Sequence, residues 1–252
     1  MPSEIQNLEK WDKDYDWSQS GDEWSEAWGG TNSLWWWMLY PRLRKFLKVN
    51  RILEIAPGYG RITQFLKDQC NELVIVDISG NCIEACKNRF RDSKNIEFHV
   101  NNGTSLDFVK DNSIDFVFSF DSLVHAENNI LQKYITEINK KLVVNGNGFL
   151  HHSNLGGYKK LGKYFFNFLP PARIRTHWRA ETMTAKLFNE YCTAENLNCN
   201  SQELINWGGK YLIDSFSVFS KNSQNNKNQI IENYEFMKEA DYIKKISELY
   251  LK

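Results

Sequence analysis

Ile52-Leu53-Glu54-Ile55-Ala56-Pro57-Gly58-Tyr59-Gly60-Arg61 is the stretch that decides the fold. A short apolar run ends on a carboxylate, a glycine-bearing turn follows, and a helical pattern over 62–69 begins beyond it. Glycine at 58 and 60 lets the main chain approach a ligand with no Cβ in the way. The helix N-terminus past the turn suits a carboxylate. About twenty residues on, Asp77 closes a second apolar run, where a carboxylate can accept both hydroxyls of a ribose.

Outward from this point the pattern alternates. Strands are expected at 51–55, 73–77, 96–100, 113–120 and 145–152, with helices at 81–90 and 130–142 between them. Such alternation implies an α/β, Rossmann-like, doubly wound and mostly parallel sheet with helices on both faces. Beyond 153–180, an insertion read as a lid, a helix at 184–196 and strands at 198–207 and 211–220 bring the expected sheet to seven strands. The chain then divides into an aromatic-rich helical cap (1–48), the main domain (49–220), and a linker with a C-terminal helix (221–252), the helix spanning 229–251. A helix over 34–47 is expected to break or restart at Pro41. Tryptophans 11, 17, 24, 28, 35, 36 and 37 crowd the cap and are available to cover a cleft.

Composition narrows the function classes. Lys+Arg and Asp+Glu are both 31, so net charge is zero and a generally basic nucleic-acid binder is not expected. Hydrophobic residues make up 42%, enough for an ordinary core, and no apolar run reaches ~18 residues, so no membrane span is expected. The five cysteines form no CxxC pair. The polar, acidic N-terminus lacks a signal-peptide pattern, and the cytoplasm is the expected compartment.

The run Glu54 to Gly60 resembles motif I of class I S-adenosylmethionine (SAM) dependent methyltransferases, with Ala56 in the first glycine place. The first and third glycines of a dinucleotide fingerprint are missing. The resemblance extends over about residues 50–155. It implies SAM as cofactor and S-adenosylhomocysteine (SAH) as product. It implies that Glu54 meets the methionine amino group, that Gly58 and Gly60 line its backbone, and that Asp77 holds the ribose with Ile78 beside the adenine. It places Ala56, Pro57, Arg61, Asn102, Gly103 and Phe120 on the same site, with the Asn102 carbonyl receiving the adenine amine. The segments Phe118-Ser119-Phe120-Asp121-Ser122-Leu123-Val124-His125 and His151-His152-Ser153-Asn154 look like a bacterial subgroup associated with sugar and surface-polysaccharide modification. That likeness implies O-methylation of a sugar, nucleotide sugar or glycan precursor.

A hydroxyl acceptor benefits from a base, and histidine titrates near working pH. His125 follows the fourth strand, and His151 and His152 end the fifth, where ligands of doubly wound sheets sit. Alternation points His151 and His152 to opposite faces, so only one of them reaches the site. His152 is the first choice of base, His125 its competitor, and Asp121 an orienting carboxylate. His151, Asn154, Arg175, His177, Trp178 and Arg179 are expected to meet the acceptor, because arginine forks suit anions and aromatic faces suit sugar rings. No metal is expected, for lack of paired-ligand spacing. The acceptor is therefore read as a small molecule or glycan, anionic ones included, and a dimer is a candidate assembly. Three other readings stay open: an N-methyltransferase acting on an amine or phosphorylated amine, a nicotinamide-dependent oxidoreductase, and a non-catalytic SAM-binding protein.

Overall fold

The computed structural model describes residues 3–159 (Lys159 by its backbone alone), 178–207, 209–222 and 227–250. The strands are β1 (Val49–Ile55), β2 (Cys70–Asp77), β3 (Ile96–Val100), β4 (Ile114–Ser119), β5 (Leu142–Ser153), β6 (Asn198–Ile205), β7 (Asp214–Ser220) and β8 (Gln229–Asn233). They form one sheet in the order β3-β2-β1-β4-β5-β7-β6-β8. Pairings from β3 through β5 are parallel, and β7 runs antiparallel to both of its neighbours. The chain winds outward from β1 in one direction and from β4 in the other. The crevice at their carboxyl ends is therefore the switch point at which this architecture binds ligands.

Both sheet faces are covered, which is why the central strands read as nearly unbroken apolar runs. Ile52, Leu73, Ile75, Phe116, Phe118 and Phe149 face one core with Trp28, Leu34 and Trp35. Leu53, Val74, Val76, Val117 and Leu150 face the other, against Leu131, Ile135 and Phe188. Among the helices are α1 (Glu4–Glu9), α2 (the helical run 31–46), α3 (Thr63–Leu66), α4 (Gly80–Arg89), α5 (Asn128–Lys141), α6 (Ala185–Ala194) and α7 (Phe236–Tyr250). Within α2 a wide π turn, Leu34–Leu39, hands over to an α turn carrying Pro41 in its first turn. Proline donates no hydrogen bond there, so the expected irregularity falls where its chemistry requires it. Trp35 is fully buried and stacks on Phe65 at 5.0 Å, so one member of the tryptophan triplet anchors α2 to the domain. Burying an indole of this size is worth about 4–6 kcal/mol of transfer free energy before conformational entropy is charged.

Three expectations require correction. The sheet has eight strands of mixed orientation, not seven. The extra strand comes from the segment read as the start of the terminal helix: Gln229–Asn233 pairs parallel with β6, and α7 begins at Phe236. Ile230 and Ile231 fit a helix or a strand equally by pattern, and the open edge of β6 decides between the two. The helix after the glycine turn is a single turn, Thr63–Leu66, rather than eight residues. The C-terminal helix also packs back on the cap, through Trp28 against Phe236 at 5.0 Å and Ser33 Oγ to Ser247 Oγ at 2.9 Å. Most of the expected lid, residues 160–177, lies outside the described residues.

Candidate cofactor and acceptor cleft

The turn after β1 is built on a left-handed backbone at alternate positions: Ala56 (φ +57°), Gly58 (φ +57°) and Gly60 (φ +83°). Glycine adopts this freely, whereas alanine at 56 costs about 1–2 kcal/mol. Two bonds hold Ala56 in place. Its N–H donates to Val76 O at 2.7 Å, and its carbonyl accepts from Ser122 Oγ at 2.7 Å. A Cβ on Gly60 would stand 2.5 Å from the Phe90 ring, and one on Gly58 would stand 2.9 Å from Trp17.

Two buried carboxylates face this turn. Asp77 accepts from Gly58 N at 3.2 Å and Ser79 N at 2.9 Å. Burial raises it to about 6 against the pull of those amides. Glu54 accepts from Thr63 Oγ1 at 2.7 Å, and burial pushes it up to about 8. Neither carboxylate has a cationic side chain bonded to it among the described residues, so both suit a ligand that brings positive charge and hydroxyl donors.

Over these residues lies a cleft of about 1040 Å3, counting the part open to solvent, and the N-terminal cap roofs it. This is the size range of small-molecule sites. Trp11, Trp17 and Trp24 line it from above. Trp17 stacks on Tyr59 at 4.4 Å, and the cluster Trp11, Tyr15, Trp17 and Trp24 is closed by ring contacts of 4.9–6.4 Å. Polar latches fix the roof. Asp12 Oδ1 accepts from Ser79 Oγ and Asn81 N at the start of α4. Asn7 donates to His125 O at 3.0 Å and accepts from Trp178 Nε1 at 2.8 Å.

The opposite wall is the loop after β4, with Phe120, Asp121, Ser122, Leu123 and His125 on the cleft. Asp121 is left-handed (φ +60°) and pairs with Arg61 at 2.8 Å. The Arg61 guanidinium also donates to Ser25 Oγ and lies between the Trp24 and Phe120 rings at 5.4 and 5.5 Å. His125 Nδ1 faces Trp178 O at 2.8 Å and must donate to it, which leaves Nε2 with the ring's lone pair. Burial lowers this imidazole to about 4, so it is neutral at physiological pH.

The sequence-derived site divides on this geometry. Glu54, Ala56, Pro57, Gly58, Arg61, Asp77, Ile78, Gly103 and Phe120 all line the cleft, as do Asp121 and His125. Gly60 sits in the turn behind them. Asn102 is turned outward and exposed, its side-chain oxygen taken by Thr104 N and Ser105 N. His152, the first choice of base, is fully buried on the far face of the sheet. It is stacked on Phe188 at 4.5 Å, with its nitrogens on Ser153 O and Ser217 Oγ. It does not line the cleft. His151 lies under the floor: its Nδ1 accepts Asp121 N–H and its Nε2 is 3.3 Å from Asp214 Oδ2. Arg179 is buried in a two-bond pair with Asp214 at 2.6 Å for each bond. Burial raises the Asp214 carboxyl, but the charge of Arg179 and the bond from His151 outweigh it and hold the group far below the ordinary range. Asn154 ties Leu212 O to Ala185 N. Of the expected acceptor residues that are described, none lines the cleft, Trp178 being bonded to two residues that do, Asn7 and His125, and Arg175 and His177 lie outside the described residues. Sequence reasoning missed Glu4, Asn7 and Tyr134, all of which line the cleft. Apart from the capping box of Ser3 and Gln6 that starts α1, nothing in the sequence marks them.

Residues 52–146 match the family described as "Methyltransferase domain". Among solved structures, the chain is similar to a SAM-dependent methyltransferase from Methanosarcina mazei, with 18% identity, 77% of this chain and 99% of that chain covered, and a TM-score of 0.55. It is also similar to the PH0226 protein from Pyrococcus horikoshii OT3, with 20% identity, 84% and 95% covered, and a TM-score of 0.57. Among curated sequences it is similar to the ribosomal RNA small subunit methyltransferase A of Coxiella burnetii, 31% identical over 61 residues. That match covers 24% of this chain and 24% of the relative. Residues 52–146 thus match a methyltransferase domain, and the chain shares the fold of a SAM-dependent methyltransferase, a class whose cofactor is SAM. Among the described residues no helix is long and apolar enough to cross a membrane.

Proposed function

We propose that the protein transfers the methyl group of SAM to a small acceptor held between the tryptophan roof and the loop after β4, a sugar hydroxyl being the leading acceptor. The observation that carries this reading is the pair of buried carboxylates, Glu54 and Asp77, facing one left-handed turn on the floor of a roofed cleft. The donor set fits the cofactor, with Glu54 for the ammonium, Asp77 for the ribose hydroxyls, and the side-chain-free turn at Gly58 for close main-chain approach. When bound, SAM supplies an electrophilic methyl on a sulfonium.

The protein's own residues hold the acceptor and manage its proton. Trp11 and Trp24 offer apolar faces to the C–H surface of a ring and exclude water. Asp121, fixed by Arg61 and by its left-handed backbone, accepts a hydrogen bond from the acceptor. His125 takes the acceptor's proton through Nε2, its tautomer set by Trp178 O. Placing acceptor and methyl in line accounts for most of the expected acceleration.

One observation favours a second reading. Among the described residues, the side-chain carboxylates lining the cleft are Glu4, Glu54, Asp77 and Asp121, against Arg61 as the one Lys or Arg, and that cation is already paired. Such a wall favours a neutral or cationic acceptor over an anionic one, which keeps an amine, and so N-methylation, in view. Incubating the protein with labelled SAM and a panel of sugars, nucleotide sugars and amines tests both readings. Labelled sugar supports the first, labelled amine the second, and absence of SAM binding by calorimetry overturns both.

A further inference from the structure

We infer that Glu4 of the N-terminal cap and Tyr134 of α5 recognise the edge of the cofactor's adenine, Glu4 by accepting a hydrogen from the exocyclic amine. This rests on the SAM reading above and deepens it.

With Asp77 on the ribose, the base continues toward the end of β3, into the slot bounded by Ile78 and Gly103. A Cβ on Gly103 would stand 3.0 Å from Ile78 Cδ1 and 3.8 Å from Glu4 Cγ, so Glu4 and Ile78 meet beside Gly103 at this end of the cleft. Adenine presents a donor, its amine, beside a ring nitrogen that only accepts. A complementary wall therefore needs one acceptor and one donor side by side. The side chains around the slot can be tested one at a time. Asn102 faces away with its oxygen occupied. Asn7 lines the cleft but spends its amide on His125 O and Trp178 Nε1. Tyr134 is nearly buried; its hydroxyl accepts from Asn101 Nδ2 at 3.2 Å and keeps its own hydrogen to give. Asp77 and Glu4 both lie close enough to oppose ionisation of that phenol, after burial as the main cause. Among the described residues Glu4 has only the loose ion pair to Lys133 at 3.9 Å, so its lone pairs remain available there. The carboxylate and the phenol together supply the required acceptor and donor.

The experiment compares SAH with S-inosylhomocysteine, in which a carbonyl replaces the amine and the ring nitrogen becomes a donor. Affinities are measured by calorimetry for the full chain and for Glu4→Ala, Glu4→Gln and Tyr134→Phe. The full chain should prefer SAH by tenfold or more. Glu4→Ala should weaken SAH by about ten- to a hundredfold, the range for a hydrogen bond to a charged acceptor. Glu4→Gln can donate to the inosine carbonyl and should narrow the preference about tenfold, a change that a merely structural role for Glu4 would not produce. Tyr134→Phe should weaken SAH and spare the inosine analogue, whose ring N–H makes no use of a second donor. An unchanged SAH-to-inosine ratio in Glu4→Gln and Glu4→Ala, with SAH still bound by the full chain, overturns the inference and leaves the cofactor reading standing. Failure of the full chain to bind SAH overturns the cofactor reading itself.

Discussion

The ring nitrogen Nδ1 of His151 accepts the main-chain N–H of Asp121 at 3.1 Å, from beneath the cleft floor. Asp121 holds a left-handed backbone that an aspartate adopts at a cost, and this bond helps to fix it. The opposite nitrogen of His151 faces Asp214, which Arg179 grips with two bonds. A chain of polar groups thus runs from Arg179 to the main chain of Asp121, whose side chain lines the cleft.

His151→Ala is expected to lower kcat by ten- to a hundredfold with little change in SAM affinity, because a small displacement of the loop misaligns the acceptor. His151→Gln, able to accept the same N–H, should recover part of the loss. Steady-state kinetics with calorimetry check this, and equal activity in all three proteins would remove His151 from the positioning role.

The three histidines near the strand ends should separate cleanly. His125→Ala loses turnover by about a hundredfold or more while still binding cofactor, as expected for loss of a base. His152→Ala keeps turnover and loses stability, by about 1–3 kcal/mol in denaturant titration, because it leaves Ser217 and Ser153 O short of partners. Loss of activity at full stability in His152→Ala would restore it as a reacting group.

Cofactor binding should release protons. Glu54 at about 8 and Asp77 at about 6 are wholly or partly protonated near neutral pH, and a cationic ligand favours their charged forms. Calorimetric enthalpies of SAH or SAM binding at pH 7 should therefore vary with the ionisation heat of the buffer, and affinity should rise between pH 6 and 8. The sign for stability is opposite. Both folded values lie above the ordinary carboxylate range, so their contribution to the free protein is complete below about pH 4 and declines as pH rises toward 8. Melting temperatures without ligand should fall across that window, and ligand should offset the fall. Buffer-independent binding enthalpy would contradict the assignment.

Arg179→Ala leaves Asp214 a buried charge without its cationic partner, with His151 alone beside it, and should destabilise the fold by about 3–5 kcal/mol. Thermal unfolding checks this. Arg179→Ala with Asp214→Asn should recover much of the loss, since the lone charge is then gone.

The floor of the cleft was legible in one dimension. The turn at 56–60, the carboxylates at 54 and 77, and the alternation between them lie within one βαβ unit, where spacing along the chain determines spacing in space. The wall that Asp121 and His125 contribute was not. The pair His151-His152 reads as two equal candidates, and alternation says only that they part. Which face holds the ligand depends on Phe188 and Ser217 arriving on one side and Trp207 and Phe216 on the other. Asn102 has the right chemistry, but its local turn consumes it. The eighth strand was hidden for the same reason, since a five-residue segment acquires its pairing from a distant edge.

By itself, then, the amino-acid order determined a doubly wound domain with a SAM-type turn and its two carboxylates, because short-range periodicity and glycine placement act locally. Only the tertiary structure decided that the cap folds over the cleft, that His125 and not His152 faces it, and that Arg179 and Asp214 support it from below. Each of these depends on contacts between segments tens to more than a hundred residues apart, where burial and hydrogen-bond satisfaction choose among side chains that look alike along the chain.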